Sequence, residues 1–340
     1  MNEVKKYRNI DALRTFGCLA IIAWHVKANM NFNGGVLQKI IPSFDYLVYL
    51  FMIISGFGMC NGYYHKLKSG MYDLNTFYAN RYKRTVPFFA TLIFLDCVIE
   101  FSPETLYEGL MEVTMLFGFL PNNSLNVIGV AWTLGAIFAF YILFPFTVFL
   151  LYSRRRAIMS FAVSILITFM CQNYFMTKKF VTDSFVMRHS FLYCLPFFLM
   201  GGLIFLYKNE ISSVVNKFKW ICLFVLLALT LGYYVTPNIW VSVDIIVIKT
   251  LMLYAGWLCI ALGDENILLS NRVTKQISNI SMEMYLSHMV VFRFIEKTGI
   301  ADEITNSFLR YLIVYIALVI LLVTVLTLYK KITSGLFKLR

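Results

Sequence analysis

The chain has 340 residues, of which 59% are hydrophobic, 17% aromatic and only 14% charged, with a mean hydropathy of +0.71 and a net charge of +12. Soluble domains carry roughly 25% charged residues, so an ordinary water-soluble globule is excluded. So basic a chain suits a nucleic-acid binder, but its lysines and arginines sit in short loops between apolar runs, without aromatic-interleaved basic helices or zinc-ligand spacing, and no nucleic-acid partner is expected.

Hydropathy predicts ten apolar segments, at about 10–30, 41–62, 86–101, 127–151, 157–176, 189–207, 219–235, 240–262, 278–297 and 308–329. The third is short and the ninth is polar. The expectation is an all-α integral membrane protein of about ten transmembrane helices, forming one polytopic domain over residues 1–340 with no soluble appended domain. The first segment carries Arg14 and His25 and ends without a small-residue cleavage site, so no cleavable signal peptide is expected. With the amino terminus inside, 20 lysines and arginines fall on the inner side and 8 on the outer. That bias supports cytoplasmic amino and carboxyl termini and an even number of spans. The seven cysteines all lie in apolar stretches without a CxxC pair and read as small buried hydrophobes, not as disulfides or metal ligands.

In the first segment, Arg14 and His25 are eleven residues apart. At about 100° per residue the second lies three turns plus ~20° beyond the first and ~16 Å along the axis, on the same stripe. A permanent cation and a titratable imidazole thus span about half the hydrocarbon thickness, where charge is costly and points to function. The structural alternative pairs Arg14 with Asp11, one turn earlier, and leaves His25 as a polar contact between helices.

At the inner mouth of the third segment stands Arg81-Tyr82-Lys83-Arg84. Arg81 and Arg84, three residues apart on a helix, can meet one polyanion with Lys83 nearby, a good match for phosphate. An ordinary positive-inside anchor explains the same residues. Residues 102–126 form an acidic outer loop (Glu104, Glu108, Glu112) with a Pro121-Asn122-Asn123 turn. Its Leu106, Leu110, Val113 and Phe117 repeat at helical spacing, predicting a helix lying along the surface or dipping inward. In the eighth segment Asp244 and Lys249 are separated by ~140° and cannot readily pair, and Asp96 in the third raises the same question. In the ninth, Ser281, Tyr285 and His288 share a stripe while Glu283 points elsewhere. That stripe suits either a cavity wall or hydrogen-bonding glue between helices.

Five runs in order resemble one family. Ile10-Asp11-Ala12-Leu13-Arg14 with Trp24-His25 looks like the opening of the membrane acyltransferase-3 family. Phe51 to Phe57, containing Ser55-Gly56-Phe57, resembles its aromatic-rich second-span signature. Phe77-Tyr78 with Arg81 to Pro87 is similar to its Arg-x-x-Arg segment running into a proline. Val130-Ala131-Trp132-Thr133-Leu134 with Tyr141 to Pro145 resembles its Trp…Tyr-Leu-x-x-Pro span, and Ile280 to His288 its late Ser-Tyr-x-x-Tyr-Leu-x-His segment. Three departures stand out. Ile137 occupies the place where many members carry a glutamate, Met282 replaces the tyrosine after Ser281, and Met289 replaces a proline after His288. No counterpart of the extracytoplasmic esterase-like domain of many members is expected.

The resemblance implies O-acyl transfer, usually of acetyl from acetyl-CoA to a sugar hydroxyl of a bacterial surface glycan or its lipid-linked precursor, in the bacterial cytoplasmic membrane. The acyl-CoA is a donor substrate, and neither a permanently bound cofactor nor a metal is expected. His25 and Arg14 are the catalytic candidates, with His25 as general base and Arg14 orienting the donor. Arg81, Lys83 and Arg84 are candidates for the CoA phosphates. Asp11, Ser55, Trp132, Tyr141, Ser281, Tyr285 and His288 are candidates for lining the substrate cavity. A transporter or flippase for a lipid-linked sugar is the main alternative, since intramembrane Arg, Asp and Lys also line substrate paths; no inverted repeat supports it. A structural or sensing membrane protein explains the loops but not five motifs in family order.

Overall fold

A computed structural model describes residues 5–30, 32, 35–99, 101–119, 127–181, 185–235, 243–264, 266, 268–299 and 303–338, apart from the side chains of 36, 243, 244 and 334–338. The predicted 121–123 turn and the side chain of Asp244 lie outside the described residues. The described residues are mainly helical, with no strand among them. In chain order the helices are α1 (Arg8–Asn29), α2 (Val36–Ile40), α3 (Val48–Lys68), α4 (Leu74–Ile99), α5 (Pro103–Val113), α6 (Trp132–Ile142), α7 (Phe144–Leu150), α8 (Arg154–Met170), α9 (Phe191–Leu206), α10 (Lys208–Val235), α11 (Val243–Ala261), α12 (Arg272–Lys297) and α13 (Ser307–Lys338). A 3-10 turn at Ile41–Leu47 joins α2 to α3.

Among the described residues four segments are long and apolar enough to cross a membrane: Leu37–Lys68, Arg154–Phe175, Lys208–Val235 and Ser307–Thr333. The pair α6–α7 adds a fifth if its two halves, bent by 63°, count as one broken span. Phe191–Leu206 and Ile245–Ala261 are apolar but shorter. Helices α1, α4 and α12, of 22, 26 and 26 residues, are interrupted by charge. Each of the ten predicted segments thus falls on a helix or on the bent pair, while length and composition alone qualify four, or five with the broken one.

The residues cluster into two compact units. One comprises 1–7, 49–230 and 238–265; the other comprises 8–48, 231–237 and 266–340. In the second unit α1 packs chiefly on α12, and both meet α13. Cys18 donates weakly to the Ser281 carbonyl at a residue offset of 263, and His25 meets His288 at the same offset. The two helices therefore run parallel. Tyr311 and Tyr315 donate to the Ala23 and Leu19 carbonyls at 3.1 and 3.2 Å, so α13 runs antiparallel to α1. The start of α12 is set by Asn271, whose side chain accepts from the Val273 and Thr274 amides, while Thr274 Oγ1 accepts from the Asn271 amide. A cap of this kind contributes ~1 kcal/mol.

In the first unit two prolines break helical hydrogen bonds and neighbours supply donors. Pro196, inside α9, cannot donate to the Leu192 carbonyl; the Thr168 hydroxyl on α8 reaches that oxygen at 3.3 Å. Pro145, just beyond α6, likewise cannot donate to the Tyr141 carbonyl; at the same bend Tyr78 on α4 donates to the next carbonyl, that of Ile142, at 2.9 Å. Helices α3 and α9 cross at glycines. A Cβ on Gly56 would overlap the Phe198 carbonyl, and one on Gly201 the Ile53 carbonyl, so the backbones touch there without intervening side chains. Tyr49 stacks on Phe197 at 4.3 Å beside that crossing.

The outer segment contains a helix, as its spacing predicts. Ser102 caps α5 by accepting from the Thr105 amide at 3.0 Å. Leu106 and Leu110 are 46% and 59% exposed, whereas Glu112 is fully buried. Its Oε1 accepts from the Val127 amide at 3.0 Å, which anchors the chain ahead of α6. Burial pushes the Glu112 carboxyl up to about 8.

Two predictions follow from this packing. Gly56→Ala should lower thermal stability in detergent by ~1–3 kcal/mol through overpacking, whereas Gly62→Ala, on the same helix with nothing within 4 Å, should be neutral or slightly stabilising. Because the folded Glu112 pKa lies above its ordinary 4.5, its contribution to stability is complete below about 4.5 and is lost as pH rises through about 8. Glu112→Gln keeps an acceptor for Val127, so melting temperatures measured from pH 5 to 9 should lose that slope in the variant.

Candidate active site

The seam between α1 and α12 holds six of the sequence-predicted residues. Asp11 accepts from Ser278 Oγ at 2.8 Å, and Thr15 Oγ1 donates to the Thr274 carbonyl at 2.7 Å. This partner of Asp11 is thus on another helix. Ser281 donates to the Ser278 carbonyl at 2.9 Å and is itself buried. Arg14 is half-buried on the same helix as Asp11. Two turns beyond the Cys18–Ser281 contact the histidines meet, with ring centroids 4.8 Å apart and planes inclined by 53°.

The two histidines differ in environment. His25 is half-buried, beside Trp24 at 6.2 Å between ring centres. His288 is completely buried. Its Nδ1 lies 2.6 Å from the Tyr285 carbonyl oxygen. A carbonyl only accepts, so Nδ1 carries the proton and Nε2 the lone pair. That Nε2 is buried and has no hydrogen-bond partner. Tyr285 lies on the same stripe, its ring 5.8 Å from that of His288. The predicted stripe of Ser281, Tyr285 and His288 is thus continuous and faces α1.

In the other unit Ser55, Tyr141 and Arg81 come together. Ser55 Oγ and Tyr141 OH share a hydrogen bond of 2.9 Å. Arg81 Nη2 donates to Tyr63 OH at 2.6 Å, and its guanidinium lies 4.9 Å and 5.8 Å from the rings of Tyr63 and Tyr141. Helix α4 begins at Leu74, so Arg81 to Arg84 sit inside a helix, as their spacing requires. Their side chains diverge: Arg81 turns into the tyrosine cluster, while Lys83 and Arg84 are exposed. Trp132 is placed apart from these, stacked on His189 at 4.1 Å with the Arg188 guanidinium 5.9 Å from its ring. Lys249 is exposed, and Asp96 is buried in α4.

Sequence reasoning missed four of these residues. Ser278 continues the stripe of Thr274, Ser281, Tyr285 and His288, and that periodicity was the available signal. Tyr63 and His189 have no local signature, because their partners lie 18 and 57 positions away along the chain. Lys330 reads as one of the inner-side cations, yet it forms an ion pair with the buried Glu283 at 2.8 Å and also donates to the Asn279 carbonyl. Glu283 does point away from the histidine stripe, as its position predicts, and the reason is this bridge from α12 to α13. Lys330→Met should destabilise the protein by roughly 1–3 kcal/mol, since it strands a buried carboxylate. Adding Glu283→Gln should restore most of the loss, which a double-mutant cycle on thermal unfolding would measure.

A family model described as an acyltransferase domain matches residues 7–328, running through both units. No curated protein and no solved structure matches the chain. The five motifs in order, the apolar helices and a match over almost the whole length agree, and the chain belongs to the acyltransferase-3 family.

Proposed function

We propose that this membrane acyltransferase moves an acetyl group from acetyl-CoA to a sugar hydroxyl of a bacterial surface glycan or its lipid-linked precursor, in the bacterial cytoplasmic membrane. The observation that carries the reading is the half-buried His25, a titratable ring on a polar seam between two otherwise apolar helices. A base there removes the hydroxyl proton as the oxygen attacks the thioester carbonyl. The C–O bond forms, the C–S bond breaks, and the proton is passed to the departing CoA sulfur. Arg14, on the same stripe, orients the donor.

Helix directions support ten alternating spans with both termini in the cytoplasm. Under that count α1 and α12 are the first and ninth spans and should be parallel, and α13, the tenth, should oppose them; the contacts described above run that way. Exposed Lys83 and Arg84 then face the compartment that supplies acyl-CoA, and their charges suit its phosphates. Arg81 is held by Tyr63, which presets the cationic end of α4.

The test is transfer of radiolabelled acetyl from acetyl-CoA into membrane glycan by wild type, His25→Ala and Arg81→Ala/Arg84→Ala. His25→Ala should reduce incorporation by ~100- to 10,000-fold at unchanged protein level in the membrane. Wild-type incorporation by that variant would overturn the assignment of the base.

A further inference from the structure

His288 has a feature that a packing residue would avoid. It is completely buried, its Nδ1–H is committed to the Tyr285 carbonyl, and its Nε2 lone pair has no partner. An orphaned buried acceptor costs about 1–3 kcal/mol. A phenylalanine or leucine would fill the same space on an apolar helix without that penalty. The ring beside it belongs to His25, with centroids 4.8 Å apart.

We propose that His288 is a positioning residue for His25: its Nε2 accepts the ring N–H of His25 that lies opposite the nitrogen taking the proton of the acceptor hydroxyl. This rests on the reading of His25 as general base. A neutral imidazole that acts as a base turns its lone pair to the hydroxyl and carries its one N–H on the other nitrogen. Accepting that N–H holds His25 in the tautomer that can take the proton. As His25 becomes an imidazolium, the same bond becomes charge-assisted and stronger. An interaction that is stronger in the transition state than in the ground state raises kcat more than it tightens substrate binding.

The arrangement differs from a carboxylate-backed histidine in a way that suits its surroundings. A carboxylate at this depth would add a second buried charge, which is costly in hydrocarbon. A neutral imidazole adds none. Its tautomer is fixed by Tyr285, one turn earlier on the same helix, so the accepting nitrogen is aimed before any substrate arrives. The close fit of α1 on α12 holds the two rings in register.

The experiment compares wild type, His25→Ala, His288→Phe and His288→Gln in nanodiscs, measuring kcat and the KM for acetyl-CoA alongside thermal unfolding. His288→Phe should lower kcat by about 10- to 100-fold, the range expected for a lost hydrogen bond to a charged group, with KM within twofold of wild type. His288→Gln, whose Oε1 accepts, should recover a substantial part of kcat. Should the Phe variant not fold, His288→Met gives the same comparison of a side chain without an accepting nitrogen. A folded Phe or Met variant with kcat within twofold of wild type would overturn the proposal while His25→Ala remained inactive. Equal losses in the Gln and Phe variants, with KM and unfolding temperature both shifted, would also overturn it in favour of a purely structural ring. Full activity in His25→Ala would instead remove the base itself, and the proposal with it.

Discussion

Polar groups placed among apolar helices must find partners within the protein, because hydrocarbon offers none and an unmet hydrogen bond costs about 1–3 kcal/mol or more. In the unit containing α1, α12 and α13 this requirement decides which helices touch. Asp11 and Thr15 reach Ser278 and the Thr274 carbonyl, Cys18 reaches Ser281, and the tyrosines of α13 close on carbonyls of α1. Each contact is modest. Together they set a parallel register of α1 on α12 that leaves little room for sliding, and that register is what delivers His25 to His288.

The same rule acts on the backbone in the other unit. Prolines at 145 and 196 each remove a donor, and carbonyls at these breaks are met by Tyr78 and Thr168 from neighbouring helices. Tertiary packing is thereby tied to the positions where secondary structure breaks. Gly56 and Gly201 serve the complementary purpose, letting α3 and α9 approach until main chains touch. In lipid, where burying apolar surface gains little, such close van der Waals contact is a main source of association between helices. The Ser55-Gly56-Phe57 signature is therefore explained in two parts: Gly56 makes the crossing, and Ser55, next to it, turns toward Tyr141.

The proposed transfer from a thioester would need a base that is dry enough to be selective and exposed enough to meet a hydroxyl. In the structure His25 is half-buried and lies beside the fully buried His288, which suits that proposal. The tyrosine cluster around Arg81 shows a different solution for a permanent cation. The planar guanidinium lies against two rings and bonds to a phenol, contacts that favour a cation.

Much of this was legible in the residues. Apolar runs of helical length, the stripe of Arg14 and His25, the stripe of Ser281, Tyr285 and His288, and the helix in the outer loop all follow from a periodicity of 3.6 residues, which is a local property of the chain. The order of the motifs was sufficient for the family. What the sequence could not yield were pairings across long separations: Asp11 with Ser278, Glu283 with Lys330, Arg81 with Tyr63, Trp132 with His189. Nor could it show that Glu112 turns inward while Leu106 and Leu110 turn out, since an amphipathic pattern beside a membrane has apolar surroundings available on both sides. By itself the sequence determined which segments are helical and which of their faces carry polar groups, because both depend on near neighbours along the chain. Only the tertiary structure decided which polar face meets which, and so that two histidines share one seam with a lone pair left over, because that depends on how helices distant in sequence satisfy one another's hydrogen bonds.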